Sequence, residues 1–313
     1  MKEIILDILG CPSCFSEQGL RLEASEELKG DVISGELKCK SCGKVFQIKE
    51  GIAYLLPESV MEIGTSQSLY ESQRMLSSYL WSHYADTFGD SEACDAYPAW
   101  AYHVPEVSGF ALDAGCAVGR FSFELSQKCD FVIGLDYSRS FINTARKLLV
   151  EGHLEFPLVE EGNMVTKKKI TLADRWNLQK VEFIVADAMK PPFKKGVFSV
   201  VSTLNLVDKL SRPLDHLIEI SRVAKERDAY LIFSDPFSWS EEVTPEEFWL
   251  GGTETGRFKG YGLDNVKRIV TGADGYISPP WHIEAEGDLW WKIRNHRNHF
   301  ELIRSAYLRC HRF

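Results

Sequence analysis

Short apolar runs alternate along the middle of the chain with segments of helical periodicity. Residues 110–114 form an apolar run that breaks into a glycine-bearing turn at Gly115. Behind the turn, Phe121, Phe123, Glu124 and Leu125 have the spacing of a helix start. A second run, 131–135, ends in Asp136, and a third, 181–186, ends in Asp187. A fourth, 198–204, ends in Asn205, and a fifth, 230–234, ends in Asp235. Such runs predict strands buried on both faces. Between them, 140–150 places Phe141, Ala145, Leu148 and Leu149 on one helical face, and 213–224 does the same with Leu214, Leu217, Ile218 and Val223. This βα order predicts an α/β fold with a doubly wound, Rossmann-like sheet. The interval 151–180 exceeds an ordinary connection and reads as a functional or flexible loop. Residues 282–285 read as a linker helix or turn, and 302–309 as a strand.

Ahead of this block the pattern changes. Residues 58–68 are polar without periodicity, as in a linker. Residues 77–84 then mix aromatic and polar side chains at helical spacing. They predict a helix packed on the domain, or a lid that turns Tyr79, His83 or Tyr84 inward. Further forward, four of the eight cysteines form two Cys-x-x-Cys pairs, Cys11 with Cys14 and Cys39 with Cys42. Two residues between thiolates let both reach one tetrahedral ion, and Gly43 suits the turn that aims amides at sulfur. Four cysteines close the coordination sphere, so the expected zinc is structural.

Composition narrows the function classes. The chain has 313 residues, 44% hydrophobic and 26% charged, which is ample for a core and ordinary for a globular protein. Forty-five acids against 36 bases give a net charge of −9. That balance disfavours nucleic acid as a partner, since a phosphate-binding surface needs clustered Lys and Arg. The one dense basic run, Lys167-Lys168-Lys169, reads as a solvated loop. No apolar stretch has the ~20 residues of a membrane span, and acids near the N-terminus argue against a signal peptide. The cytoplasm and a small-molecule substrate are the expectations.

The turn from Asp113 to Arg120, with Asp113 inside it and Asp136 at the next strand end, resembles class I S-adenosylmethionine-dependent methyltransferases. The resemblance implies a mostly parallel sheet to which 302–309 adds an antiparallel last strand. It assigns the methionine part of the cofactor to Asp113, Gly115, Cys116, Gly119 and Arg120, and the ribose to Asp136 beside Tyr137. Asp187 and Ala188 take the adenine, and Asn205 closes the cofactor wall. Ala117 stands where that family often has glycine. The segment from Ile4 to Pro57, with its leading Leu-rich helix, both cysteine pairs, Val45-Phe46-Gln47-Ile48 and the Gly51-to-Pro57 stretch, resembles the zinc-ribbon protein that activates tRNA and release-factor methyltransferases. A scaffold or a docking module for a protein partner is implied. The expected division is a ribbon at 1–57, a linker at 58–68 and a catalytic domain at 69–313, with 69–108 as lid helices.

In the catalytic half, Tyr79-Leu80-Trp81-Ser82-His83-Tyr84, the stretch from Ala111 to Arg120, Asn205-Leu206-Val207-Asp208-Lys209-Leu210, and the stretch from Ser238 to Thr244 with Trp249-Leu250-Gly251-Gly252 resemble the methyltransferase domain of ovothiol biosynthesis. That domain N-methylates the imidazole of 4-mercaptohistidine. The reading that follows is a small-molecule methyltransferase with an acceptor pocket at Tyr79, Tyr84, Asn205, Asp208, Trp239 and Glu241. Asp208 or His83 would orient the acceptor and take its proton. Alternatives are a methyltransferase of RNA or protein docked through the ribbon, and a non-catalytic binding protein.

Overall fold

The computed structural model describes residues 1–56 and 69–313, so the predicted linker lies outside the described residues. Four antiparallel strands open the chain: β1 (Leu20–Leu28), β2 (Asp31–Cys39), β3 (Val45–Lys49) and β4 (Ile52–Leu55). Two helices follow, α1 (Gln73–Tyr84) and α2 (Ala96–Tyr102). The βα block comprises β5 (Phe110–Ala114), α3 (Arg120–Leu125), β6 (Phe131–Asp136) and α4 (Arg139–Glu151). It continues through β7 (His153–Glu161), β8 (Met164–Thr171), β9 (Val181–Ala186), β10 (Phe198–Leu204), α5 (Pro213–Val223) and β11 (Ala229–Asp235). Last come α6 (Gly262–Val270), β12 (His282–His296) and β13 (His299–Arg312).

Eleven of these strands form one sheet in the order β1-β2-β3-β4-β9-β6-β5-β10-β11-β13-β12. From β4 to β11 the pairs across the centre are parallel, and β13 enters antiparallel to β11. This is the class I methyltransferase fold, with the antiparallel strand where 302–309 was expected. Leu112, Ile133 and Ile184 point into one buried layer, whereas Ala111, Val132, Phe183 and Val185 point into the other. Helices cover both faces, so the central strands are apolar throughout instead of alternating.

The cysteine-bearing segment extends this sheet instead of standing apart. β4 pairs in parallel with β9, Ala53 opposite Ile184 and Leu55 opposite Ala186. That pairing covers an edge that would otherwise expose unpaired amides and carbonyls. Ile5, Leu37, Ile48 and Leu55 share a hydrophobic cluster with Ile133, Leu135 and Phe193. Each fully buried aliphatic side chain contributes ~1.5–3 kcal/mol of transfer free energy. The seam also carries Arg146, which pairs with Glu182 at 3.1 Å and with Asp31. Beside it the Gly10 amide donates to the Pro192 carbonyl at 2.9 Å, and the Lys194 amide to Ile8 at 3.0 Å.

Two expectations are corrected. The interval 151–180 holds the hairpin of β7 and β8 and not a long loop. Leu154, Phe156 and Leu158 are buried with exposed residues between them, a period-2 pattern that charge had masked. The Lys167-Lys168-Lys169 run lies on β8, with Lys167 paired to Glu155 across the hairpin. Residues 282–285 begin β12 and are neither helix nor turn, because the strand pairs with β13 along its length. Among the described residues no helix is long and apolar enough to cross a membrane.

Candidate active site

The turn after β5 is shaped by backbone that needs small residues. Gly115, Ala117 and Gly119 all have positive φ, at 75°, 45° and 86°. Ala117 pays ~1–2 kcal/mol for that conformation, where glycine would pay little. A Cβ on Gly119 would lie 2.5 Å from Cζ of buried Phe183. Glycine at 119 therefore serves the packing of turn on sheet.

Three acids stand at the carboxyl ends of β5, β6 and β9. Asp113 is buried and accepts from Ser122 Oγ at 2.7 Å and Ser202 Oγ at 3.1 Å, and burial pushes its pKa up to about 6. Asp136 accepts from the amides of Ala117 at 2.9 Å and Ser138 at 2.8 Å. Burial raises it to about 6 as well, against those amides. Asp187 accepts from the Met189 amide at 2.8 Å and is raised by burial.

Above the acids lies α1, capped by Ser72. Tyr84 donates to the Val118 carbonyl at 2.8 Å, which fastens the helix to the glycine turn. Arg120 donates to the His83 carbonyl at 2.8 Å and grips Asp86 with two bonds of 2.7 and 2.8 Å. At the other side Ser82 donates to the Lys292 carbonyl on β12 at 2.6 Å. The inner face of α1 presents Tyr79 and His83, with Tyr70, Tyr97, Phe141 and Trp291 completing an aromatic wall. His83 Nε2 lies 2.6 Å from the Tyr97 hydroxyl, and its Nδ1 has no partner. Burial, reinforced by Arg120, holds this imidazole well below its ordinary pKa. It is neutral at physiological pH.

The opposite wall comes from the ends of β10 and β11. Asn205 has φ of 53° and donates its amide to Ser234 at 2.7 Å, while its side-chain Oδ1 is buried without a partner. Asp208 is fully buried and accepts from the Ser238 amide at 2.9 Å and Lys209 Nζ at 3.1 Å. Its own amide donates to Asp235 at 3.2 Å. Burial raises the Asp208 pKa; burial and the neighbouring Asp208 raise that of Asp235 still further.

These walls line one pocket of about 140 Å³ that opens to the surface. It brings together Asp113, Gly115, Cys116, Asp136, Tyr137, Asp187, Ala188, Asn205, Tyr79 and His83 from the sequence expectation. Gly119, Arg120, Tyr84, Asp208, Trp239 and Glu241 do not line it. Arg120 and Tyr84 point into the support of α1, and Trp239 stacks on Trp249 with ring centres 6.1 Å apart. Glu241 is exposed. Tyr70, Tyr97, Phe141, Lys209 and Trp291 are pocket residues that the sequence reading did not assign. None of the five lies within 77–84, where aromatic density had drawn attention.

The four cysteines converge at the other side of the β9 loop. Their sulfurs all lie within 4.8 Å of one another, with Cys11 3.8 Å from Cys42 and Cys14 3.7 Å from Cys39. Zinc–sulfur bonds of about 2.3 Å in a tetrahedron place sulfurs ~3.8 Å apart. The amides of Ser41 and Cys42 point at Cys39 Sγ, at 3.3 and 3.4 Å. The donor set fits a tetrahedral thiolate-binding metal.

Residues 112–232 match the family model of a methyltransferase domain, and residues 2–51 that of Trm112p-like protein. No curated protein matches the chain. Among solved structures it is similar to the YcgJ protein of Bacillus subtilis, at 12% identity over 70% of this chain and 98% of that one, TM-score 0.46. A SAM-dependent methyltransferase from Methanosarcina mazei is similar at 18% identity over 70% and 99%, TM-score 0.45. Magnesium protoporphyrin IX methyltransferase from Synechocystis, solved with bound SAM, is similar at 16% identity over 77% and 98%, TM-score 0.40. The matched domain spans the glycine turn and the acids after β6 and β9. Methyl transfer from S-adenosylmethionine is the activity of this chain, carried by a class I methyltransferase domain behind a Trm112p-like domain.

Proposed function

We propose that the enzyme methylates a small molecule, at an imidazole nitrogen of a thiohistidine-like compound. One observation carries this reading: the strand-end acids and the aromatic wall face the same pocket beneath α1. In this reading Asp136 accepts the ribose hydroxyls and Asp187 and Ala188 flank the adenine. Gly115 and Cys116 border the methionine part, and Asn205 Oδ1 finds there the donor it lacks in the protein. S-adenosylmethionine supplies, when bound, an electrophilic methyl on a sulfonium. Tyr70, Tyr79 and Phe141 favour a positive charge beside their ring faces. The acceptor lies against Tyr79 and His83, and His83 takes its proton. Asp208 acts from behind the wall by fixing Lys209 and the turn at Ser238. Holding donor and acceptor aligned supplies much of the rate.

Zinc is the metal proposed for Cys11, Cys14, Cys39 and Cys42. The Trm112p-like segment serves as a built-in support for the cofactor wall, since its pairing edge is already used on β9. The test is mass spectrometry of reactions with S-adenosylmethionine and either 4-mercaptohistidine or histidine. A methylated mercaptohistidine is expected. Cofactor binding without turnover of either compound would overturn the acceptor and leave the methyltransferase standing.

A further inference from the structure

His216 lies on α5 with no exposed surface, and both of its ring nitrogens are hydrogen-bonded. Nδ1 is 2.8 Å from the Ala188 carbonyl, which can only accept, so Nδ1 carries the hydrogen. Burial keeps the imidazole neutral, its pKa lowered to about 4. Nε2 therefore bears a lone pair, and the Thr203 hydroxyl donates to it at 2.9 Å. Thr203 stands near the end of β10, and Ala188 follows β9. β6 and β5 separate those two strands in the sheet, so no ladder ties one strand end to the other. The imidazole does. The peptide that it grips is also held at its other pole, where the Met189 amide donates to Asp187 Oδ1 at 2.8 Å. One peptide plane thus links His216 to the carboxylate of Asp187, and Asp187, Ala188 and Met189 all line the pocket. Further on, Arg222 donates to the Phe193 carbonyl at 3.0 Å and the Gly10 amide to that of Pro192. The rest of the loop therefore has anchors of its own.

We propose that His216 is a positioning residue for cofactor selectivity: by fixing the Ala188–Met189 peptide it aims Asp187 at the exocyclic amine of the adenine. This rests on the reading above that Asp187 and Ala188 flank the adenine; the bonds of His216 to Ala188 and Thr203 do not depend on it. A carboxylate selects an amine only where its lone pairs point at the N–H. With the backing peptide free to rotate, Asp187 loses that aim while the pocket keeps its walls. His216 does not itself line the pocket, so it acts through the loop alone.

The experiment is titration calorimetry with S-adenosylhomocysteine and with its analogue carrying hydrogen in place of the adenine amine. It compares wild type, His216→Asn and His216→Gln. An asparagine amide reaches the place of Nδ1 and still donates to Ala188, whereas a glutamine amide reaches that of Nε2 and meets only Thr203. Wild type and His216→Asn should prefer S-adenosylhomocysteine by roughly 10- to 100-fold, the worth of a hydrogen bond to a charged group. In His216→Gln the preference should shrink to about 3-fold or less. A general loss of stability would weaken both ligands alike and leave the ratio unmoved. Full preference in His216→Gln would overturn the proposal and leave the adenine placement standing. No preference in wild type would overturn the adenine placement, and the selectivity role with it. Long-range proton–nitrogen NMR on histidine-labelled wild type is a check that needs no variant. A pyrrole-like Nδ1 and a pyridine-like Nε2 are expected for His216, and the reversed pattern would overturn the proposal.

Discussion

Asp113 and Asp136 each meet only a few donors, and burial pushes the pKa of both up to about 6. Their folded values lie above the usual ~4 of an aspartate. A raised carboxyl pKa means the folded state takes up protons first as pH falls, so these groups stabilise the empty protein below about 6. The cofactor needs the opposite, because a protonated Asp136 accepts fewer hydrogen bonds. Affinity for S-adenosylhomocysteine should therefore fall as pH drops from 7 to 5, measurable by titration calorimetry at several pH values. A flat profile would show that neither acid bears on the cofactor. At Gly119, substitution by alanine sets a Cβ 2.5 Å from a buried Phe183 ring and keeps a positive φ. Overpacking of ~1–3 kcal/mol should lower the melting temperature clearly. An unaltered melting curve would mean the turn can shift.

At the scale of elements, the sequence reading of the βα block agrees with the structure because a buried parallel strand is a local signal. Five apolar runs with polar ends became β5, β6, β9, β10 and β11. The hairpin of β7 and β8 was missed since lysines and glutamates on its outer face hid the alternation of Leu154, Phe156 and Leu158. The cysteine knuckle was legible from spacing alone. Its consequence was not, because nothing local says that β4 will pair with β9. That pairing, with Gly10 and Ile8 bonded to the loop at 192–194, links the metal site to the segment after Asp187. Removing the metal with a chelator should weaken cofactor binding several-fold and lower the melting temperature, with recovery on adding zinc. Unchanged binding would confine the cysteines to local folding. Deleting residues 1–56 should give insoluble protein, as β9 becomes a bare edge; a soluble, monomeric product would contradict the shared core.

Over the whole molecule, the pocket joins parts far apart in sequence. Asp136, Asp187 and Asn205 could be found from the chain because each closes its own strand. Tyr97 and Trp291 could not, since α2 and β12 reach the pocket only through packing against α1 and α3. Trp239 and Glu241 follow β11 directly, yet Phe237 at φ 54° turns the chain and Glu241 ends on the surface. Strand order fixes which strand ends converge, but loop direction is set residue by residue. The measurement that bears most directly on the account is calorimetric binding of S-adenosylhomocysteine to the metal-loaded protein and to Asp136→Ala. One site per chain is expected in the wild type. Losing a hydrogen-bonded carboxylate costs ~1.5–3 kcal/mol, so the variant should bind roughly 10- to 100-fold more weakly. No binding by folded, metal-loaded wild type would contradict the enzyme itself, and equal binding by the variant would place the cofactor elsewhere.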